Sequence, residues 1–428
     1  KSLVGSEMCI RDRLSSKHWL LWRSVFLLAP VMVIAAFLLK LVPYDPVVVK
    51  ARDFTAYERL ITEARVLWDY VLGALFPRGS SFSPFHDDYP VSRSILEPAV
   101  LLATTAWAAV IAGAIVLRRR VPLFSFAVGW FLVAHLLEST TVPLYLYFEH
   151  RNYSAMLGPA FAVAAGVVAV SSARLQTALR VLLAGFVIVN GLVLLGITST
   201  WGKPQVAAGL WQIESPDSAH ALSFLVRQQV ASGNPDGAIV TISRFVESHP
   251  EYGYLRLPQL TLSCSIRPGN DHAAIVATLK NELRHVSYSH NVASQLEQLN
   301  STISTTPCKG VDTETMTELA QAVIENPRFR SQGSYLSVHH QLLARFAFEA
   351  GELEVALAEL QAARDAGAGF DIHLKFVSVL LASGKVDEAR RYLAEAESSL
   401  PVHPVRRIAA KALLKDLHRW VDSAAAAG

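Results

Sequence analysis

The chain has 428 residues, of which 52% are hydrophobic and only 18% charged, and its formal net charge is +3. Soluble proteins carry about 25% charged residues, so the deficit predicts membrane content. The small net charge, without a polybasic tail, argues against a nucleic-acid partner, and the apolar excess excludes intrinsic disorder.

Residues 1–13, KSLVGSEMCIRDR, do not open on Met and show no hydrophobic periodicity. They resemble translated sequencing-adaptor read-through and are set apart from the fold. On that reading the remainder is the C-terminal part of a longer protein. Five stretches then come close to the ~20 apolar residues that cross a bilayer core of ~30 Å. They are Ser24 to Val42, Pro98 to Leu117, Val121 to Leu137, Ser154 to Val170 and Val181 to Ser199. Basic residues sit before the first (Lys17, Arg23), between the second and third (Arg118, Arg119, Arg120), and between the fourth and fifth (Arg174, Arg180). Lys and Arg in short loops mark the cytosolic side, so these three places face the cytosol. The loop 43–97, the segment Glu138 to Tyr153 and everything after Thr200 are then external, which in a bacterium is the periplasmic face of the inner membrane.

Within the external loop, 54–76 has the period of an amphipathic helix. Tyr57, Leu60, Ile61, Ala64, Leu67, Trp68, Val71 and Leu75 form an apolar stripe, with Glu58, Arg59 and Asp69 on the other face. Such a helix suits the membrane interface, or packing against a globular domain. Two external segments are rich in ionisable groups. The first holds His86, Asp87, Asp88 and Arg93, and the second Glu138, Glu149, His150, Arg151 and Tyr153. Charge at membrane depth is costly unless it is paired or lines a wet cavity, so these are the candidate site residues. Asp87, Asp88, His86, Glu149 and His150 suit proton transfer, while Arg151, Tyr153, Glu138 and Arg93 suit binding of a phosphorylated substrate. Structural alternatives stand beside these: Asp87 and Asp88 capping a turn before Pro90, and Glu149 and Arg151 pairing with each other or with loop partners. Three near-adjacent residues, His86, Asp87 and Asp88, do not define a metal site, and no residue is assigned to a metal.

The run RDFTAYERLITEARVLWDYVLGALFPRGSSFSPFHDDYPVSRSILEP and the later ESTTVPLYLYFEHRNYSAMLGP resemble the C-terminal membrane half of bacterial membrane proteins with tetratricopeptide repeats. These are similar to the transmembrane and tetratricopeptide-repeat O-mannosyltransferases of the GT-C glycosyltransferase superfamily. FEHRNY matches that family's Glu-x-Arg-x-Tyr pattern as Glu149, Arg151 and Tyr153. The resemblance implies transfer of a sugar from a polyprenyl-phosphate donor to an acceptor on the external face, with no certain cofactor and a divalent metal compatible with the carboxylates. The family's catalytic acidic residue lies in a first external loop that this chain does not carry, so the fragment alone is expected to be inactive.

From about Gly202 onward, amphipathic helical patterns alternate with Gly-bearing turns. Ala350 to Leu357 aligns with Ser383 to Arg390 at a spacing of 33, and Ser232 to Ile239 fits the same frame. A Gly that ends one helix, followed by a small Ala on the next, is the turn of a tetratricopeptide-like hairpin. Leu343, Phe346 and Ala347 match Phe376, Val379 and Leu380 as a stacking core, whereas 261–315 fits poorly and reads as an irregular connector. Cys264 and Cys308 form an even pair suited to a disulfide in an oxidising compartment, or two separately buried thiols. No Gly-rich phosphate loop, zinc spacing or nucleophile elbow occurs.

The expected architecture is all-α: a transmembrane bundle of about five spans (14–201) followed by a periplasmic helical-repeat domain (202–428). The expected partners are membrane lipid, a polyprenyl-phosphate sugar, and a protein or peptide acceptor bound by the repeats. Two other readings fit the same residues: a non-catalytic membrane-anchored scaffold for envelope proteins, and an O-antigen-type ligase or polymerase.

Overall fold

The structure is a computed structural model describing residues 21–22, 24–29, 31–33, 35–36, 54–76, 83–136, 138–140, 144–287, 289–330 and 333–427. Residues 1–13, the end of the first predicted span and 43–53 of the external loop lie outside them. The described residues are helical, with no strand and one isolated bridge between Cys308 and Val311. They fall into two units, divided after Gly202.

In the first unit, residues 24–36 are helical where described, with Ser24–Leu28 in π-helical form. Five further helices follow: α1 (Ala56–Leu75), α2 (Pro98–Leu117), α3 (Pro122–His135), α4 (Asn152–Ala169) and α5 (Ala173–Trp201). A capping box starts α1, because the Thr55 hydroxyl accepts from the Glu58 amide and the Glu58 carboxylate accepts from the Thr55 amide. Proline at the first turn starts α2 and α3, where its missing N–H costs nothing. Three segments are long and apolar enough to cross a membrane: Pro98–Leu117, Glu149–Ala169 and Ala173–Trp201. The third predicted span is corrected. Its helix, α3, has 14 residues and rises only about 21 Å, short of a bilayer core. Arg174 and Arg180 are corrected too, since they lie within α5 and not in a loop before it.

The short turn Arg118–Arg120 makes α2 and α3 antiparallel neighbours, and α3 packs on α4. That contact is close: a Cβ on Gly158 would lie 2.5 Å from the Trp130 side chain, so only glycine fits. Two tryptophans lock α1 to α2. Trp68 donates to the Ala103 carbonyl and Trp107 to the Ala64 carbonyl, both at 3.1 Å, with the rings 4.6 Å apart. The faces of α1 differ from the sequence expectation. Arg59 is buried, while Tyr57, Leu60 and Leu75 of the apolar stripe are exposed.

The second unit comprises α6 (Pro204–Glu214), α7 (Ala219–Ala231), α8 (Pro235–Ser248), α9 (Arg256–Ile266), α10 (Ala273–Leu283), α11 (Val292–Thr305) and α12 (Thr313–Glu325). Then come α13 (Pro327–Arg330), α14 (Gly333–Glu349), α15 (Leu353–Asp365), α16 (Ile372–Ala382), α17 (Val386–Ser398) and α18 (Pro404–Ala427). The reading of 261–315 as an irregular connector is corrected. It contains α10 and α11, and Leu279, Leu283, Leu296 and Leu299 are fully buried in the main core of this unit. The sequence misled there because the core is apolar without the repeat's turn glycine.

Gly233, Gly351 and Gly384 end α7, α14 and α16 with φ of 79°, 80° and 70°. After each, the next amide reaches five residues back: Asn234 to Gln229, Glu352 to Ala347 and Lys385 to Leu380, at 2.8–2.9 Å. This is the Schellman closure, which requires left-handed backbone at the glycine. Ala238, Ala356 and Ala389 on the following helices are wholly buried, so a methyl group sets the helix spacing. Gly351→Ala and Gly384→Ala should each destabilise the tail by about 1–2 kcal/mol, read by chemical denaturation, because the left-handed backbone strains a Cβ.

Candidate functional site

The predicted site residues fall at the end of α2 and α3 opposite the Arg118–Arg120 turn, since 83–97 precedes α2 and 138–151 follows α3. The backbone there is held by a residue the sequence reading had assigned to the polar face. Arg59 is 0% exposed, and its guanidinium donates to the carbonyls of Thr140 (2.7 Å), Leu144 (2.5 Å) and Glu138 (2.7 Å). Its Nη2 also lies 2.7 Å from Glu63 Oε1, one turn along α1. The Ser139 side chain is a further hydrogen-bonding neighbour of the Glu63 carboxyl. Burial pushes the Glu63 carboxyl up to about 7, with the Arg59 charge opposing it. Tyr70 completes the clamp: its hydroxyl donates to the Phe148 carbonyl (3.0 Å) and accepts from the Phe148 amide (2.8 Å). Burial raises the Tyr70 phenol to about 12, so it remains a donor at neutral pH.

That clamped segment delivers Glu149 to His86. The two side chains, 63 residues apart in sequence, are in hydrogen-bond contact through Glu149 Oε1 and His86 Nε2, and are 48% and 23% exposed. Glu149 begins the 3₁₀ turn Glu149–Arg151 that leads into α4, where the helix dipole favours negative charge. An aromatic stack surrounds the pair. The His86 ring meets Tyr147 edge-on at 4.5 Å, Tyr147 stacks on Tyr89 at 5.8 Å, and the Arg65 guanidinium lies 5.7 Å from the Tyr89 ring centroid. Tyr89 donates to Asp69 (2.5 Å), and Arg65 donates to Ser92 Oγ (2.7 Å).

The other predicted residues are placed differently. Arg151 is not presented to a ligand. Its side chain is 7% exposed, pairs with Glu138 at 3.1 Å, donates to the Tyr145 carbonyl at 2.5 Å and lies by the Phe148 ring. Glu138 is thereby its counter-ion, and Glu149 and Arg151 each pair with a loop partner and not with each other. Tyr153 is 80% exposed on α4. Arg93 pairs with Glu58 at 3.0 Å. Asp87 and Asp88 form the turn before Pro90, closed by the Tyr89 amide on the His86 carbonyl at 3.3 Å. His150 is exposed, its ring beside Phe148.

Sequence reasoning missed Arg59, Glu63, Tyr70 and His135. His135 is 2% exposed and stacked on Tyr70. The available signal was the Arg59–Glu63 spacing of four, which places opposite charges on one helix face. Cys264 and Cys308 are joined by a disulfide in the second unit. That unit also carries a groove of about 930 Å³ whose lining includes Arg364, Phe370, His373, Glu395, Arg406 and Leu413.

Glu63 carries a pH signature. Its folded value of about 7 lies above the ordinary 4.5, so the folded chain holds the proton more tightly and its stability falls as pH rises from 4.5 to about 7. Thermal melts across that window should show the decline, and Glu63→Gln should flatten it. No protein-family model, curated protein or solved structure matches the chain.

Proposed function

We propose that the chain belongs to an integral-membrane glycosyltransferase of GT-C type, which moves a sugar from a polyprenyl-phosphate donor to a protein or envelope acceptor outside the cytosol. One observation carries this reading: His86 and Glu149, from two loops at one end of an apolar helical bundle, meet as a part-exposed pair. In this role His86 takes the proton from an acceptor hydroxyl as its oxygen attacks the sugar's anomeric carbon, and the bond to the donor phosphate oxygen breaks. Glu149 holds the imidazole in orientation and balances the charge it gains. The released phosphate leaves as an anion. Since Arg151 is committed to Glu138 and the Tyr145 carbonyl, Arg65, at the far side of the aromatic stack, is the better cation for that phosphate.

The orientation follows from charge. Arg118, Arg119 and Arg120 mark the cytosolic turn, which puts the His86–Glu149 end on the periplasmic side of the inner membrane. The recurrent glycine turns and buried alanines support a tetratricopeptide-like tail, and its groove is a surface for an extended protein segment.

The test is transfer of labelled sugar from a polyprenyl-phosphate donor by membranes of cells expressing the intact parent gene, first external loop included. His86→Ala should lower transfer by about 10²–10⁴-fold, the usual worth of a general base, with the protein still inserted. Undiminished transfer by that variant rejects the role of His86, and no transfer by the unaltered gene product favours the scaffold reading.

A further inference from the structure

The loops flanking α10 bring three metal-ligating side chains together inside the second unit. Cys264, near the end of α9, is 0% exposed; Cys308, in the turn before α12, is 6% exposed; His272, capping α10, is 4% exposed. Their ligand atoms all lie within 4.8 Å of one another. The His272 ring lies between them: Nδ1 is 3.4 Å from Cys308 Sγ and 3.2 Å from the Lys309 carbonyl, while Nε2 is 2.9 Å from the Ser263 hydroxyl. A histidine that turns one nitrogen to a ligand site while its other nitrogen is held by a hydrogen-bond partner has the arrangement of a metal-binding imidazole.

The site does not depend on the sulfur–sulfur bond for its shape. The His272 amide donates to the Lys309 carbonyl (3.2 Å), Lys309 to the Pro268 carbonyl (2.9 Å), and Val311 to the Cys308 carbonyl (3.0 Å). Gly310 turns at φ 81°, so close that a Cβ would lie 3.1 Å from the Ala273 amide nitrogen. The loops carrying Cys308 and His272 are therefore pinned to each other by backbone, and Cys264 is anchored in the core.

We propose that reduction of the disulfide converts Cys264, Cys308 and His272 into a binding site for a thiophilic divalent cation such as zinc. A dithiol, itself oxidised to a disulfide, or a phosphine and water, converted to the phosphine oxide, supplies the two electrons and two protons that turn the disulfide into two thiols. Binding of the cation then releases both thiol protons and forms two metal–thiolate bonds and one bond to imidazole nitrogen. Two thiolates and an imidazole select zinc over magnesium or calcium, which prefer oxygen. The fourth tetrahedral position falls to water or to the Lys309 carbonyl, 3.2 Å from Nδ1. The cation gives the reduced tail a substitute for its covalent cross-link, since metal binding to a folded site is folding free energy.

The test uses the full chain in detergent with Cys9→Ser, which removes the remaining thiol. After phosphine reduction under argon, cobalt(II) titration should give sulfur-to-cobalt charge-transfer absorption saturating at one metal per chain, displaced by zinc and absent from the oxidised chain. His272→Ala should weaken cobalt binding by more than about tenfold, and Ser263→Ala by about tenfold, with helical circular dichroism and the oxidised disulfide retained. The proposal is overturned if the reduced chain gives no charge-transfer band, if His272→Ala binds as tightly as the parent, or if reduction melts the tail and zinc fails to restore it.

Discussion

The first unit depends on a single buried guanidinium. Arg59 donates to three carbonyls spread over Glu138 to Leu144 and so ties that segment to α1. Burying its charge is tolerable only because Glu63 stands beside it and the carbonyls fill its donor positions. Arginine suits this place where lysine would not, because the planar fork directs several N–H groups at once. Tyr70 extends the same clamp to Phe148, so α1 acts as the template on which the segment before α4 is laid.

That template separates two layers of polar chemistry. The inner layer of Arg59, Glu63, Arg151 and Glu138 is closed on itself and largely buried, which suits it to holding backbone. His86 and Glu149 form an outer layer, part-exposed and bordered by Tyr147 and Tyr89. Removing one member of the inner layer leaves an uncompensated buried charge, whereas the outer pair can exchange protons with a substrate. The two layers adjoin because Phe148, gripped by Tyr70, is next in sequence to Glu149.

The tail uses a different device. Its hairpins at Gly351 and Gly384 repeat one solution, a left-handed glycine and a buried alanine, so each helix pair buries a stripe against the next. Between α9 and α12 the same core is built without that device. The loops there are fastened instead by backbone pairs around Gly310 and by the bond between Cys264 and Cys308. Within this stretch the Ser263 hydroxyl and the His272 ring satisfy each other.

The sequence by itself determined the helical class, because the apolar period of α1, the long apolar runs of α2, α4 and α5 and the glycine turns of the tail are local signals carried within one element. It also determined which two loops hold the ionisable groups. It could not tell Arg59 from a surface arginine, or Arg151 from a ligand-binding one. Arg59 is met by carbonyls about eighty positions away and Arg151 by Glu138 on the far side of α3's exit segment, and no helical period encodes either partnership. The length of α3 was likewise undecidable from hydropathy, since the apolar run continues past the residue at which the helix stops. Which carboxylate met which base was decided only by tertiary structure, because a hydrogen bond of about 3 Å depends on three-dimensional placement that sequence spacing does not encode.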